Sequence, residues 1–203
     1  MPVIEVFADV VCPFTHVGLR ALAARRAELG RPDVRLHVRA WPLELVNGRA
    51  VDPAFIGHEV ADLRRQVAAE LFAGFDERSF PASSLPALAL TNAAYAVSAE
   101  RGEAVALDLR DALFERGLDV GSPAVLRELA GAHGLSMPDV TDSVRRDYDE
   151  GCRRGVRGSP HFFLPGGQDA FCPSLDITRE EAGLRIAFDR RGFDELVQAC
   201  FAT

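Results

Sequence analysis

Asp9-Val10-Val11-Cys12-Pro13-Phe14-Thr15-His16-Val17-Gly18 stands where two periodicities meet. Before it, Val3, Ile4, Val6 and Phe7 make a near-continuous apolar run, as expected of a central strand buried on both faces. After it, Phe14, Val17, Ala21, Leu22, Ala24 and Leu29 recur at helical spacing, and Gly30 and Pro32 end the helix. Cys12 therefore falls on a strand-to-helix turn. Pro13 takes the first helical position, where a missing N–H leaves nothing unpaired. The free N–H groups and positive dipole end of that helix would point at the sulfur and favour thiolate, the nucleophilic form. The alternative for Cys12 is a small buried apolar residue at a strand end.

Working outward, Val34, Leu36, Val38 and Ala40 alternate with Arg35, His37 and Arg39, which is the period of a strand. Strand, helix, strand in close succession is a βαβ unit, so the two strands should be parallel. Beyond Trp41-Pro42-Leu43-Glu44-Leu45, no strand pattern occurs from Pro53 to Arg154. Helices fit at about 54–74, 86–101, 103–116, 122–133 and 137–154, broken at Pro81 and Pro86, Gly102, Gly117 to Pro123, and Gly134 to Pro138. Ser122-Pro123 and Ser136-Met137-Pro138 read as helix starts. The acidic residues along these helices read as solvated faces. His161-Phe162-Phe163-Leu164 and Asp169-Ala170-Phe171-Cys172 read as antiparallel strands about a turn at Pro165-Gly166-Gly167. Leu175 to Thr178 and Leu184 to Phe188 form a further hairpin, and Phe193 to Phe201 a terminal helix.

The chain has 203 residues, 48% of them hydrophobic, enough for one globular core with an inserted subdomain. The net charge is −7 and basic residues cluster only in pairs such as Arg25-Arg26, so no nucleic-acid partner is expected. All 23 basic residues are arginine, which excludes a Schiff-base lysine and a P-loop lysine. No long apolar run suits a membrane span, and Met1-Pro2-Val3 enters the first strand directly. The expectation is a cytoplasmic protein without a membrane partner. Cys12, Cys152, Cys172 and Cys200 show no metal-ligand spacing, so no metal is expected. In a reducing compartment, a disulfide among them would be catalytic or transient.

Two stretches carry a family resemblance: Asp9-Val10-Val11-Cys12-Pro13-Phe14, and Gly155-Val156-Arg157-Gly158-Ser159-Pro160-His161-Phe162-Phe163. The sequence resembles the DsbA family of thioredoxin-fold proteins. It is nearest to their FrnE-like branch and its relatives, the 2-hydroxychromene-2-carboxylate isomerases and kappa-class glutathione transferases. The resemblance implies an α/β, thioredoxin-like fold with an all-helical insertion: core in 1–50 and 155–203, insertion in 51–154. It also implies that Pro160 is the cis-proline that packs against the reactive sulfur, with Ser159 presenting backbone groups to substrate. The family's Cys-x-x-Cys is broken here, because Thr15 stands at the fourth place. The hairpin at 175–188 is a second departure.

Cys12, Thr15, His16 and Cys172 are the catalytic candidates; Pro13, Phe14, Ser159, Pro160 and His161 are the substrate-binding ones. Thr15, three residues on, shares a helical face with Cys12 and can bond its sulfur, or bond back to its own chain. A protonated His16, four residues on, would lower the thiol pKa; the alternative is an exposed histidine with no role. His161 lines the same cleft or is an ordinary strand histidine. With Gly166-Gly167 as a two-residue turn, Cys172 pairs opposite His161 at the rim of the site. There it can resolve a Cys12 mixed disulfide or serve as a buried structural cysteine, and a one-residue slip would turn it to the other face.

Three functions follow. The leading one is a cytoplasmic thiol–disulfide oxidoreductase acting on protein or small-molecule disulfides, monothiol or resolved by Cys172. The second is an isomerase or transferase of small aromatic compounds that uses glutathione or another low-molecular-weight thiol; Phe14 and Trp41 either line its pocket or are ordinary core residues. The third is a non-catalytic binding module. The oligomeric state is open, a homodimer included.

Overall fold

The computed structural model describes residues 3–138, 142–181 and 183–201. β1 (Val3–Ala8) leads through Cys12 into α1 (Pro13–Glu28), and β2 (Arg35–Ala40) returns parallel to β1 with Val6 opposite Val38. The chain then leaves the sheet for α2 (Leu43–Asn47), α3 (Pro53–Gln66), α4 (Leu85–Val97), α5 (Ala99–Phe114), α6 (Pro123–Ala132) and α7 (Asp142–Arg153). It comes back as β3 (His161–Phe163), antiparallel to β1, and β4 (Asp169–Phe171), antiparallel to β3. The sheet order is β2-β1-β3-β4. β5 (Leu175–Glu180) and β6 (Gly183–Phe188) form a separate two-stranded sheet before α8 (Arg190–Phe201). This is the thioredoxin-like architecture with a helical insertion between β2 and β3. Among the described residues no helix is long and apolar enough to cross a membrane.

Two apolar cores result. One, from Ile4, Val6, Leu19, Leu22, Leu36, Phe162 and α8, fills the space beneath the sheet. The other runs from Val10 and Val11 through α3, α4, α5 and α6. The insertion is fastened to the sheet by polar groups. β2 is an edge strand whose outward N–H groups need partners. Glu103 takes that of Leu36 at 3.0 Å, the Tyr95 hydroxyl that of Val38 at 2.9 Å, and Asp147 that of Ala40 at 3.0 Å. The expectation of solvated acidic faces is therefore wrong at these positions: Glu59, Asp62, Glu103 and Asp147 are buried. Gly151 lets α7 approach, since a Cβ there would lie 2.5 Å from the Trp41 ring.

Several boundaries differ from the sequence reading. Helix α3 ends at Gln66, and α2 was not anticipated. The break between α4 and α5 is at Ser98, whose hydroxyl caps Arg101 N–H at 3.1 Å, and not at Gly102. Gly102 lies inside α5, where it admits the Tyr95 ring. Ser136 to Pro138 is not helical; the helix expected from 137 is seen as α7 from Asp142, and 139–141 lie outside the described residues.

Candidate active site

Cys12 is the N-cap of α1, extended in backbone, with Pro13 behind it in the first turn. Across from it runs the loop before β3, with a cis peptide bond between Ser159 and Pro160. The Cys12 thiol donates to the Ser159 carbonyl at 3.1 Å. The Thr15 and Ser159 hydroxyls are 2.9 Å apart, and Asp9 N–H donates to Ser159 Oγ at 3.0 Å. Strand end, helix start and loop are thus tied at one point. The Asp9 carboxylate, fully buried, accepts from the N–H groups of Val11 (3.2 Å) and Leu43 (2.6 Å) and from the Ser84 hydroxyl (3.1 Å). Burial pushes its pKa up to about 6 against those hydrogen bonds and the Arg110 guanidinium. Arg110, also buried, donates to the Asp9 carbonyl at 3.1 Å.

Cys12 is 3% exposed, yet it sits on the floor of an open cleft of about 590 Å³. Pro13, Phe14 and Ser159 line it with Cys12, together with Val51, Phe55, Ile56 and Glu59. Burial raises the thiol pKa. The Ser159 and Thr15 hydroxyls and the Thr15 N–H at the sulfur pull it down, and the negative charge of Glu59 pushes it up again. Burial wins, so the resting site holds a thiol. The expected thiolate is corrected on that ground: the amide end of the helix is there, but the sulfur is out of water.

His16 does not serve the sulfur. It points into the insertion, between Phe72 and Phe114, with Nε2 2.6 Å from Glu115 Oε1. Burial drives its pKa down to about 4, so the ring is neutral and donates to the carboxylate. Glu115 also accepts Phe72 N–H at 2.9 Å. His161 is likewise outside the cleft. Its Nδ1 accepts Arg157 N–H at 3.0 Å, its Nε2 meets Asp169 Oδ2 at 2.8 Å, and its ring stacks on Phe163 at 4.9 Å. Trp41 packs on Phe7, Tyr148 and Gly151, away from the cleft that Phe14 does line.

Cys172 is shifted by one residue from the expected register. Leu164 bonds to Gln168, so Pro165, Gly166 and Gly167 make a three-residue loop with Gly167 at φ 82. Phe171 is then opposite His161, and Cys172, at φ 47, donates its N–H to the Pro160 carbonyl at 3.0 Å. All four cysteines are free. Burial, then the charge of a Cys12 thiolate, pushes the Cys172 thiol up to about 12. Cys152 is exposed on α7, and Cys200 is packed in α8.

Sequence reasoning passed over Asp9, Glu59, Arg110 and Glu115. Asp9 had a visible signal, a carboxylate at a buried strand end next to the cysteine. Glu59 and Arg110 lie on helices and Glu115 just past the end of α5, where acidic and basic positions look alike until the insertion is docked.

The profile of the DSBA-like thioredoxin domain family matches residues 3–182. No functionally curated protein matches the chain. A probable DsbA oxidoreductase from Streptomyces coelicolor is similar in structure at a TM-score of 0.66 and 20% identity, covering 98% of this chain and 90% of that one. A 2-hydroxychromene-2-carboxylate isomerase aligns at 0.61 and 14% identity over 83% and 88%. The cytosolic disulfide reductase DsbM from Pseudomonas aeruginosa, solved with GSH, aligns at 0.59 and 18% identity over 96% and 95%. At such identities these likenesses speak for the fold alone. With the profile spanning nearly the whole sequence, the chain belongs to the DSBA-like thioredoxin domain family.

Proposed function

We propose that the protein is a cytoplasmic thiol–disulfide oxidoreductase in which Cys12 is the nucleophile. The observation that carries this reading is the sulfur on the cleft floor, 3.1 Å from the Ser159 carbonyl and served by the Thr15 and Ser159 hydroxyls. Cys12 attacks one sulfur of a bound disulfide and forms a mixed disulfide, while the other sulfur leaves as a thiol. Thr15 has no sulfur with which to resolve it. Cys172, buried and with its thiol pushed up to about 12, supplies almost no thiolate near neutral pH. A low-molecular-weight thiol such as glutathione therefore enters the cleft and takes over the second displacement. A cleft of about 590 Å³ under α2 and α3 suits a small disulfide or a narrow peptide loop.

A second reading, a small-thiol-dependent isomerase or transferase, draws support from the apolar wall of Phe14, Val51, Phe55 and Ile56. The two are separated by turnover of glutathione disulfide against turnover of an aromatic isomerisation substrate. On the redox reading, Cys12→Ser abolishes disulfide turnover, by at least about a hundredfold, and Cys152→Ser leaves it unchanged. Disulfide turnover that persists in Cys12→Ser overturns the redox reading.

A further inference from the structure

Glu59 lines the same cleft as Cys12, and its negative charge opposes ionisation of the Cys12 thiol. Glu59 is on α3, 8% exposed, and lines the cleft with Cys12. Among the described residues no hydrogen bond or ion pair to another side chain holds it. The charges that act on it are those of Arg179 of β5, which lies over the Phe55 ring at 5.9 Å, and of Asp62 on its own helix; Arg49 and Asp52 also line the Cys12 cleft, and His58, Arg65, Glu180 and Glu181 the second one. Asp62, by contrast, is engaged by the Leu184 N–H at 2.7 Å and by Arg65. Glu59 also borders a second cleft, of about 520 Å³, between α3 and the β5–β6 hairpin; Phe55 and Glu59 are the residues common to both. Its carboxyl is thus in reach of the sulfur's electrostatic field on one side and of a separate opening on the other.

We propose that Glu59 is the acid–base catalyst of thiol–disulfide exchange at Cys12, with the second cleft as its route to solvent. The proposal rests on the redox reading of the site. Cys12 passes its thiol proton through a water in the cleft to the Glu59 carboxylate. The sulfur electron pair forms a bond to the nearer sulfur of the substrate disulfide. The substrate S–S pair leaves on the far sulfur, which takes the proton back from Glu59 and departs as a thiol. One disulfide is replaced by another, with no further oxidant or reductant. Burial supports the role, because it pushes the Glu59 pKa up to about 7, against the pull of Arg179 and with the push of Asp62. A carboxyl of that strength can both take and return a proton near neutral pH. It also answers the state of the sulfur: a buried thiol needs a base at the moment of attack, and the hydroxyls at Cys12 are not bases. The hairpin gains a purpose as well, since its Arg179 and the second cleft shape the surroundings of Glu59.

The test is the single-encounter reaction of Cys12 with dithiodipyridine, a neutral aromatic disulfide, as a function of pH. It is run in a Cys152→Ser background so that the exposed sulfur is silent. Deprotonated Glu59 is the active form, so the rate should rise with pH through about 7. Glu59→Gln should lose that limb and react at least about tenfold more slowly at neutral pH. Glu59→Asp should recover the limb in part. A merely repulsive carboxylate gives the opposite sign: removing its charge makes the thiolate easier to form. An unchanged or faster reaction in Glu59→Gln therefore overturns the proposal. The assay involves no turnover and no physiological substrate. A protein that shows the Glu59 limb here but never turns over a disulfide contradicts the redox reading and leaves the proton transfer standing.

Discussion

At the scale of single residues, the site is a contest between burial and hydrogen bonding at one sulfur. Cys12 is out of water, which favours the thiol, and three donors from Ser159 and Thr15 oppose that. The consequence can be measured. Thr15→Val keeps the shape and removes a hydroxyl, so the Cys12 thiol should move further up. That upward move would slow iodoacetamide alkylation at mildly alkaline pH by roughly severalfold. Thr15→Ser should alkylate like the parent, and a Thr15→Val protein that does the same would deny the hydroxyl its role. Cys12, Pro13 and Thr15 were legible because their signals are local: an apolar strand, a helix start and a three-residue spacing. His16 was not. Four residues along a helix placed it beside the sulfur in one dimension, but Glu115, ninety-nine residues on, turns its ring into the insertion. His161 takes the other of its two readings, an ordinary strand histidine, since Asp169 and the Arg157 N–H claim both ring nitrogens.

At the scale of elements, β2 shows how a strand edge is made safe. Its N–H groups are taken by Glu103, Tyr95 and Asp147, and the Tyr95 hydroxyl also donates to the Leu36 carbonyl at 2.9 Å. Tyr95→Phe leaves a buried N–H and C=O without that partner. Urea denaturation should show a loss of about 1–3 kcal/mol, and a loss near zero would mean the edge is solvated. The βαβ unit was readable from period alone. The register of β3 and β4 was not, because two adjacent glycines fit either a two- or a three-residue loop. The three-residue form wins, with Gly167 taking the positive φ, and Cys172 moves from His161 to Pro160. That single step turns a proposed rim cysteine into a buried neighbour of the site.

At the scale of the whole molecule, a sheet built from the two ends of the chain is covered by helices built from its middle. The division was legible because strand alternation vanishes between Pro53 and Arg154. How the helices dock was not, since it depends on a few buried carboxyl groups that resemble solvated ones in sequence. Asp62 and Gln66 of α3 pin the β5–β6 hairpin through Leu184 and Ile186, and Glu59 on the same helix overlooks Cys12. Helix α3 therefore couples the insertion, the extra hairpin and the cleft. The account places the reacting atom at Cys12, buried but at the cleft floor, although Cys152 is the cysteine open to solvent. The most direct test is brief exposure of the reduced protein to glutathione disulfide, acid quenching and peptide mass mapping. The glutathione adduct should appear on the Cys12 peptide; an adduct confined to Cys152, with Cys12 unmodified, would contradict the account.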